Sequence, residues 1–537
     1  MKALLPLTLA AMLLPGIGHT SNYHAPEVLV PPSPFKGVHG LAVDQQNRLL
    51  AGSVVGYSMY QVDQVSSEVS TFIGPDLGQA DDIAIGPQGE MAWTGFTLGK
   101  LLYRDNDDAP IRVLAEGLPG INSVAFDQKN GKLYASQVFL DDALWEFDLS
   151  AQQPPRLIKR DMGGFNGFEV GSDGWLYGPL WFKGLVVRIN PENGDMQTVG
   201  EGFGTPAAVN FDSQGQLFVV DTLSGQLIKL DPATGETDMI AQLASALDNL
   251  AIDAEDRIFV SNMADNSISE VNPVSGATRV IVQGNLAAPA GLSLAEDGKT
   301  LYVADVFSFR SVDTASGKVT DIRRAHGSDI EYPIAVGLGE ERVLLTSFST
   351  GTLHLLKRDD MSTLAMVHGL NAPSAAVELD DGSILVSELG SGALIQLSGP
   401  QLENRRTLAE GLYGPVQMIK GQDGQIYMTE AAGFLTRVNP ATGEITRLAQ
   451  DLQMPEGLVQ SAEGQFIVAE TAAKRLTRLD IASGERHILA DNLPIGYPTS
   501  PGMPPSGIPT GLVMAADGTL YFSADQDNGI YRLRLAD

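Results

Sequence analysis

A strand–turn–strand unit recurs along nearly the whole chain at a spacing of about 40–45 residues. It reads GLAVDQQNRLLAGS from Gly40, SVAFDQKNGKLYAS from Ser123 and AVNFDSQGQLFVVD from Ala208. It returns as GLSLAEDGKTLYVAD from Gly291, AAVELDDGSILVSE from Ala375 and GLVMAADGTLYFSA from Gly511. Each copy alternates apolar and polar residues around an acidic or glycine-containing turn, the pattern of a half-buried hairpin. A third strand such as Gly225–Asp231 follows, then a turn of the type PATGE or PENGD, then a fourth strand such as TDMIAQ. One unit is therefore a four-stranded antiparallel meander, the size of one propeller blade.

First strands start near Gly40, Asp82, Ser123, Gly167, Ala208, Asn249, Gly291, Ala335, Ala375, Gln417, Gly457 and Gly511. Twelve blades exceed the usual four to eight of one ring, so two six-bladed β-propellers in tandem are predicted, an all-β fold. The divide falls near Ala288, giving rings over 21–288 and 289–537, and the N-terminal strand is grouped with the first. The last unit stops after YRLRL without a fourth strand, and Pro26–Val30 is predicted to supply it. SALDNLAI could pass alone as a short helix; its place in the repeat makes it a first strand.

The first 20 residues, with Lys2, an apolar run and small residues, are laid out as a secretory signal peptide. No later apolar run is long enough to span a bilayer, and a formal charge of −30 argues against nucleic acid and anionic membranes as partners. Without a cysteine there is neither a disulfide nor a thiolate metal site. A periplasmic or secreted protein acting on a small molecule is the expectation.

First strands line a propeller's channel, so their starts meet at one mouth. The residue two before each apolar triplet is His39, Asp81, Asn122, Asn166, Ala207 and Asp248 in the first ring. In the second it is Ala290, Ile334, Ser374, Val416, Glu456 and Thr510. Asn and Asp favour turns on their own account. The second ring fills the same slot mostly without them, so turn chemistry does not demand them. Carboxylate and amide oxygens suit Ca²⁺, or Mg²⁺, which makes Asp81, Asn122, Asn166, Asp248 and the adjacent Asn249 candidate ligands of a divalent cation; a polar, water-filled channel is the alternative. His39 and Asp81 are the candidates for proton transfer, with His39 otherwise a hydrogen-bonded channel residue. In the second ring Asp305, Glu388, Glu430 and Glu470 end second strands near Glu456, either as an acidic funnel for a ligand or as a solvated rim. The long loop Asn492–Ile508 is expected to overhang that mouth. H-E-x-x-H and G-x-S-x-G are absent, so zincin and α/β-hydrolase chemistry have no support.

The cassette Pro-x-Gly-Leu, strand, D-G, then LYVAD resembles the SMP-30/gluconolactonase and NHL-type six-bladed propellers over nearly the whole mature chain. LDNLAIDAEDRIFVSN resembles the Asp-Asn strand of paraoxonase-type calcium lactonases. The resemblance implies a divalent cation at a channel mouth and hydrolysis of lactones or esters. Asn122 and Asn166 match two amide ligands, and Asp248 with Asn249 matches the Asp-Asn pair. His39 stands where those families carry Glu, and Ala207 where they carry Asp. The expected function is a metal-dependent lactonase or esterase. The alternatives are a non-catalytic binding protein for a small molecule, peptide or partner, and a streptogramin-type lyase.

Overall fold

The computed structural model describes residues 23–75, 77–497 and 508–534, so the segment expected to be a signal peptide lies outside the described residues, as do 498–507 of the long loop. The described residues form twelve four-stranded antiparallel sheets, here blades 1 to 12 in chain order. One 3-10 turn, Thr471–Ala473, is the only helical element among them. Each blade is a meander, because consecutive strands joined by tight turns pair antiparallel. In the turn after the third strand of blade 5, Asp231 Oδ1 accepts the amide of Ala233 at 2.8 Å. Gly235, at φ +78°, then returns its amide to the Asp231 carbonyl, which explains the recurrent PATGE. SALDNLAI is strand, Leu247–Ile252, as the repeat requires.

Burial grades outward through each blade. Leu217–Asp221, a second strand, is buried throughout, while the fourth strand Thr237–Gln242 is mostly exposed. The apolar faces meet between blades; Phe218 and Val220 of blade 5, for example, cluster with Leu250 and Val260 of blade 6. A side chain of that size contributes about 1.5–3 kcal/mol when fully buried.

The first strands close into two rings. Leu41–Val43 of blade 1 touches Ile83–Ile85 of blade 2 on one side and Leu247–Ile252 of blade 6 on the other. Pro289–Leu294 of blade 7 likewise touches Ala335–Leu338 of blade 8 and Leu512–Met514 of blade 12. A hydroxyl just before the end of several second strands bonds the slot carbonyl of the next blade. Thr429 Oγ1 reaches Glu456 O at 2.6 Å. At the two closures Ser261 Oγ reaches His39 O, and Ser523 Oγ reaches Ala290 O, each at 2.6 Å.

Glu27–Val30 pairs antiparallel with Gly529–Leu533 and is the fourth strand of blade 12. The missing strand is thus supplied from the N-terminus. It belongs to the second ring rather than to 21–288, because the incomplete sheet is the twelfth and the first ring closes on its own six sheets. Leu29 and Val30 pack there with Leu301, Val303, Tyr521 and Ile530. From its first described strand the chain therefore passes from ring two into ring one and returns to finish ring two. The two crossings lie side by side, where Ser33 Oγ accepts the amides of Asn285 and Leu286 at 2.7 and 3.1 Å.

The rings are packed against each other. Ala246, Met263 and Ala264 of the first ring cluster with Ala290, Val306, Phe307 and Ile334 of the second. Lys36, on the first crossing, is buried against the second ring, donating to Asn528 Oδ1 at 2.9 Å and to the Asp525 carbonyl. Its ammonium sits 4.6 Å from the Tyr497 ring centre. Burial pushes Lys36 down to about 8.

Candidate functional site at the mouth of the first ring

The register that starts each first strand brings His39, Asp81 and Asp248 together from blades 1, 2 and 6. His39 Nδ1 lies 3.2 Å from Asp248 Oδ2 and 3.6 Å from Asp81 Oδ1. Its Nε2 is buried and has no hydrogen-bond partner among the described residues. Burial works against the charged imidazolium, but the two carboxylates outweigh it and hold His39 above its usual value. Burial pushes Asp81 well above the usual carboxylate range; His39 pulls it back, while Asp248 and Asp82 push it further.

Asn122 and Asn166 come together through one hydroxyl. Ser123 Oγ lies 2.8 Å from Asn122 Oδ1 and 2.9 Å from Asn166 Oδ1. A hydroxyl donates one proton, so it serves one amide oxygen at a time. Asn249 has a different task. Its Oδ1 accepts the amide of Leu250 at 2.7 Å, and its Nδ2 donates to Asp82 Oδ1 at 3.0 Å. Asp82 also accepts the amides of Ile83 and Val124, and burial pushes it up to about 7. The Asp82–Asn249 bond ties blades 2 and 6 and lies at the upper end of the first ring's channel. Below it is a cavity of about 510 Å³ that opens at the opposite mouth, lined by Leu41, Val124, Glu169 and Asn210 among others. Burial pushes Glu169 up to about 7 as well.

The donor set partly suits a divalent cation. Asp81, Asp248, Asn122 and Asn166 offer hard oxygens, and a cation would relieve the mutual repulsion of the carboxylates. Asn249 does not join them, since both ends of its amide are engaged within the fold. The His39 imidazole takes the place between Asp81 and Asp248. Among the described residues no group of three or more His, Asp or Glu stands arranged to hold a metal.

Two residues that the slot comparison missed complete the mouth, and both come from ring two. The connection from blade 7 to blade 8 carries His326 and Tyr332. Tyr332 Oη and His326 Nε2 are 2.7 Å apart. Burial brings His326 down to about 4, against the pull of Asp248, so this imidazole is neutral at neutral pH. Burial, Asp248 and Asp81 all raise Tyr332, which stays a phenol. Phe307, also of ring two, meets the His39 ring edge-on at 5.4 Å between centres. His326 at φ +61° and Tyr332 at φ +43° both lie in the left-handed region, where a bulky side chain costs about 1–3 kcal/mol. No repeat position marks this connection; its only sequence signal is its length.

The acidic set of ring two is neither funnel nor solvated rim. Asp305, Glu388, Glu430, Glu456 and Glu470 are all buried. Each accepts backbone amides from a loop that enters a first strand. Asp305 takes Ala287 and Ala288 at 3.0 and 2.6 Å. Glu388 takes Asn371, Glu430 takes Tyr413, Glu456 takes Thr510 and Glu470 takes Gln453. Arg310, Arg447 and Arg475 pair with Asp305, Glu430 and Glu470. These carboxylates clamp loops, since an unpaired loop amide in that position would be left unsatisfied. Of the long loop, Leu493 and Ile495 pack into the core between blades 11 and 12, and the Tyr497 hydroxyl donates to the Gly56 carbonyl of ring one.

Residues 182–447 match a protein family described as outer membrane protein assembly factor BamB. The match covers just under half of the chain and runs from blade 4 into blade 10, across the boundary between the rings. No curated protein matches the chain. Among solved structures it is similar to the extracellular domain of a B. thetaiotaomicron protein described as a hybrid two component system. That match has 10% identity, covers 96% of this chain and 83% of the other, and has a TM-score of 0.34. A B. thetaiotaomicron extracellular domain described as a one component system matches at 10% identity, over 96% and 82% of the two chains, with a TM-score of 0.32. Among the described residues no helix is long and apolar enough to cross a membrane. The described residues form an all-β fold of twelve four-stranded blades, and over its middle the chain is similar to the BamB type of propeller repeat.

Proposed function

We propose that the mouth of the first ring opens a lactone or ester by acid–base chemistry, with His39 as the base. The observation that carries this reading is the state of one imidazole. Its Nδ1 is held by Asp248 with Asp81 alongside, and its Nε2 is unpartnered. A carboxylate on one ring nitrogen orients the ring and stabilises the imidazolium formed when the other takes a proton. In hydrolysis Nε2 takes a proton from water, the water oxygen adds to the carbonyl carbon, and the same proton passes to the departing alkoxide. A divalent cation, Ca²⁺ foremost, would draw on the oxygens of Asp81, Asp248, Asn122 and Asn166 only if the His39 ring left its place between the two carboxylates, and it would then polarise the carbonyl oxygen. The likeness of the repeats to SMP-30/gluconolactonase and paraoxonase-type propellers supports the substrate class. Export through the N-terminal 20 residues belongs to the same reading.

Covering of the mouth by ring two favours a second reading, a binding site without turnover. A lyase would use the same base on a carbon-bound proton. One experiment separates all three: a panel of lactones and aryl esters, with and without EDTA, analysed by mass spectrometry. A hydrolase adds the mass of one water, a lyase turns a lactone into an isomer of unchanged mass that elutes separately on chromatography, and a binding protein leaves both mass and elution unchanged. Turnover by the wild type with a loss of about 10²–10⁴-fold in His39→Gln is expected. Turnover unaffected by His39→Gln, or none on the panel, would overturn the proposal.

A further inference from the structure

We propose that the cavity in the lower part of the first ring's channel binds a primary ammonium group carried on an apolar chain, with Glu169 as its counter-ion. The site lies below the Asp82–Asn249 tie, at the opposite end of the channel from His39, and does not rest on the reading of that mouth.

The observation that carries this is a carboxylate without a cation. Three places past the slot, the first strands of ring one carry Ala42, Ala84, Ala125 and Ala251 in four blades, but Glu169 and Asn210 in blades 4 and 5. Ring two has no ionisable residue at this place, so the strand itself does not require one. Glu169 Oε2 is engaged, accepting the Phe211 amide at 2.6 Å and Asn210 Nδ2 at 3.3 Å. Oε1 has no partner among the described residues, and Glu169 lines the cavity of about 510 Å³. No Lys, Arg or His is among the described residues of that lining. In ring two, by contrast, Asp305, Glu430 and Glu470 each have an arginine.

The rest of the lining is rich in acceptors and short of donors. Asn249 Nδ2 is taken by Asp82, Gln45 Nε2 by the Pro87 carbonyl and Gln128 Nε2 by the Ile85 carbonyl. The amides of Ile83, Val124 and Leu250 are held by side-chain oxygens. Each first strand is the inner edge of its sheet, so what these edges leave for a ligand is carbonyl oxygen. An ammonium donates three hydrogen bonds and accepts none, which suits such a lining. At the open end Asp44 and Asp253 are answered by Arg48 and Arg257, which leaves Glu169 as the uncompensated charge inside. One free carboxylate oxygen is too few for Ca²⁺, which takes six to eight oxygens. The four alanines give the chain of the ligand apolar walls, and the volume is in the range of small-molecule sites.

Hexylammonium, 1-hexanol and hexanoate share a six-carbon length and differ in the head group. Calorimetric titration of the full-length protein at pH 8 is expected to show binding of hexylammonium alone. Glu169→Gln keeps an oxygen for the Phe211 amide and should weaken that binding about tenfold or more without lowering the melting temperature. 6-Bromohexylammonium places the ligand without any variant, since crystals of the wild type should give an anomalous bromine peak inside the ring-one channel. If the variant does not fold, that peak decides. No binding at millimolar concentration, equal binding of 1-hexanol or hexanoate, equal binding by a folded variant, or a bromine peak anywhere but in this channel overturns the proposal.

Discussion

At the scale of single residues, the mouth shows how neighbouring positions divide their labour. Asp81 and Asp82 are adjacent in sequence and point to different tasks, because successive side chains of an extended segment leave on opposite sides. Asp81 faces His39, whereas Asp82 accepts from two amides and from Asn249. Asp248 and Asn249 repeat that division. Asn249→Leu should therefore destabilise the protein by about 1–3 kcal/mol in a denaturant titration, by stripping a donor from a buried carboxylate. The proton on His39 sets a pH profile. Because its folded value is raised, the free base forms only at higher pH than for an ordinary histidine. The acid limb of kcat/KM is expected above 6.5, and Asp248→Asn should move it to lower pH by removing the nearer negative charge. An unmoved limb would show that another group is the base.

At the scale of elements, much was legible and some was not. The four-strand period, the strand starts and the missing twelfth fourth strand follow from alternation and turn residues, which are local. The convergence of His39, Asp81 and Asp248 follows from the register of first strands once a ring is assumed. The fate of Asp305, Glu388, Glu430 and Glu470 did not follow. A carboxylate at a strand end reads as exposed unless one knows which loop amides lie opposite. His326 and Tyr332 were hidden for the same reason, since their loop has no repeat phase and gains its meaning from the other ring. The closing strand gives a sharp expectation. Removing 25–33 leaves Gly529–Leu533 as an open edge and takes Leu29 and Val30 from their core. Calorimetry should show a marked fall in melting temperature, and Val30→Ala alone should cost about 2 kcal/mol.

For the whole molecule, buried titratable groups make stability depend on pH in an unusual direction. Asp82 and Glu169 are raised to about 7 and Asp525 to about 6, in each case chiefly by burial, and His39 is raised by its carboxylates against burial. The folded state thus binds protons that the unfolded chain has already lost, and stability falls as pH rises from about 4 to about 7. His326, lowered to about 4, and His354, also lowered by burial, act oppositely up to their ordinary value near 6.5 and are outnumbered. Lys36, lowered to about 8, restores stability only above that pH. The melting temperature should drop by a few degrees between pH 5.5 and pH 7.5, and Asp82→Asn should flatten the drop. A melting temperature that rises over that range would contradict this balance.

The pairing of Glu27 with Arg532, 505 residues apart, also sets a timetable. Synthesis at about 5–20 residues per second leaves the first strand waiting on the order of a minute for its partner. Ring one, whose six sheets need nothing from either end of the chain, can close during that wait. Ring two cannot be completed until the last strand has left the ribosome. Among the described strands the earliest made is the last to be used, and until then its open edge must be kept from other chains.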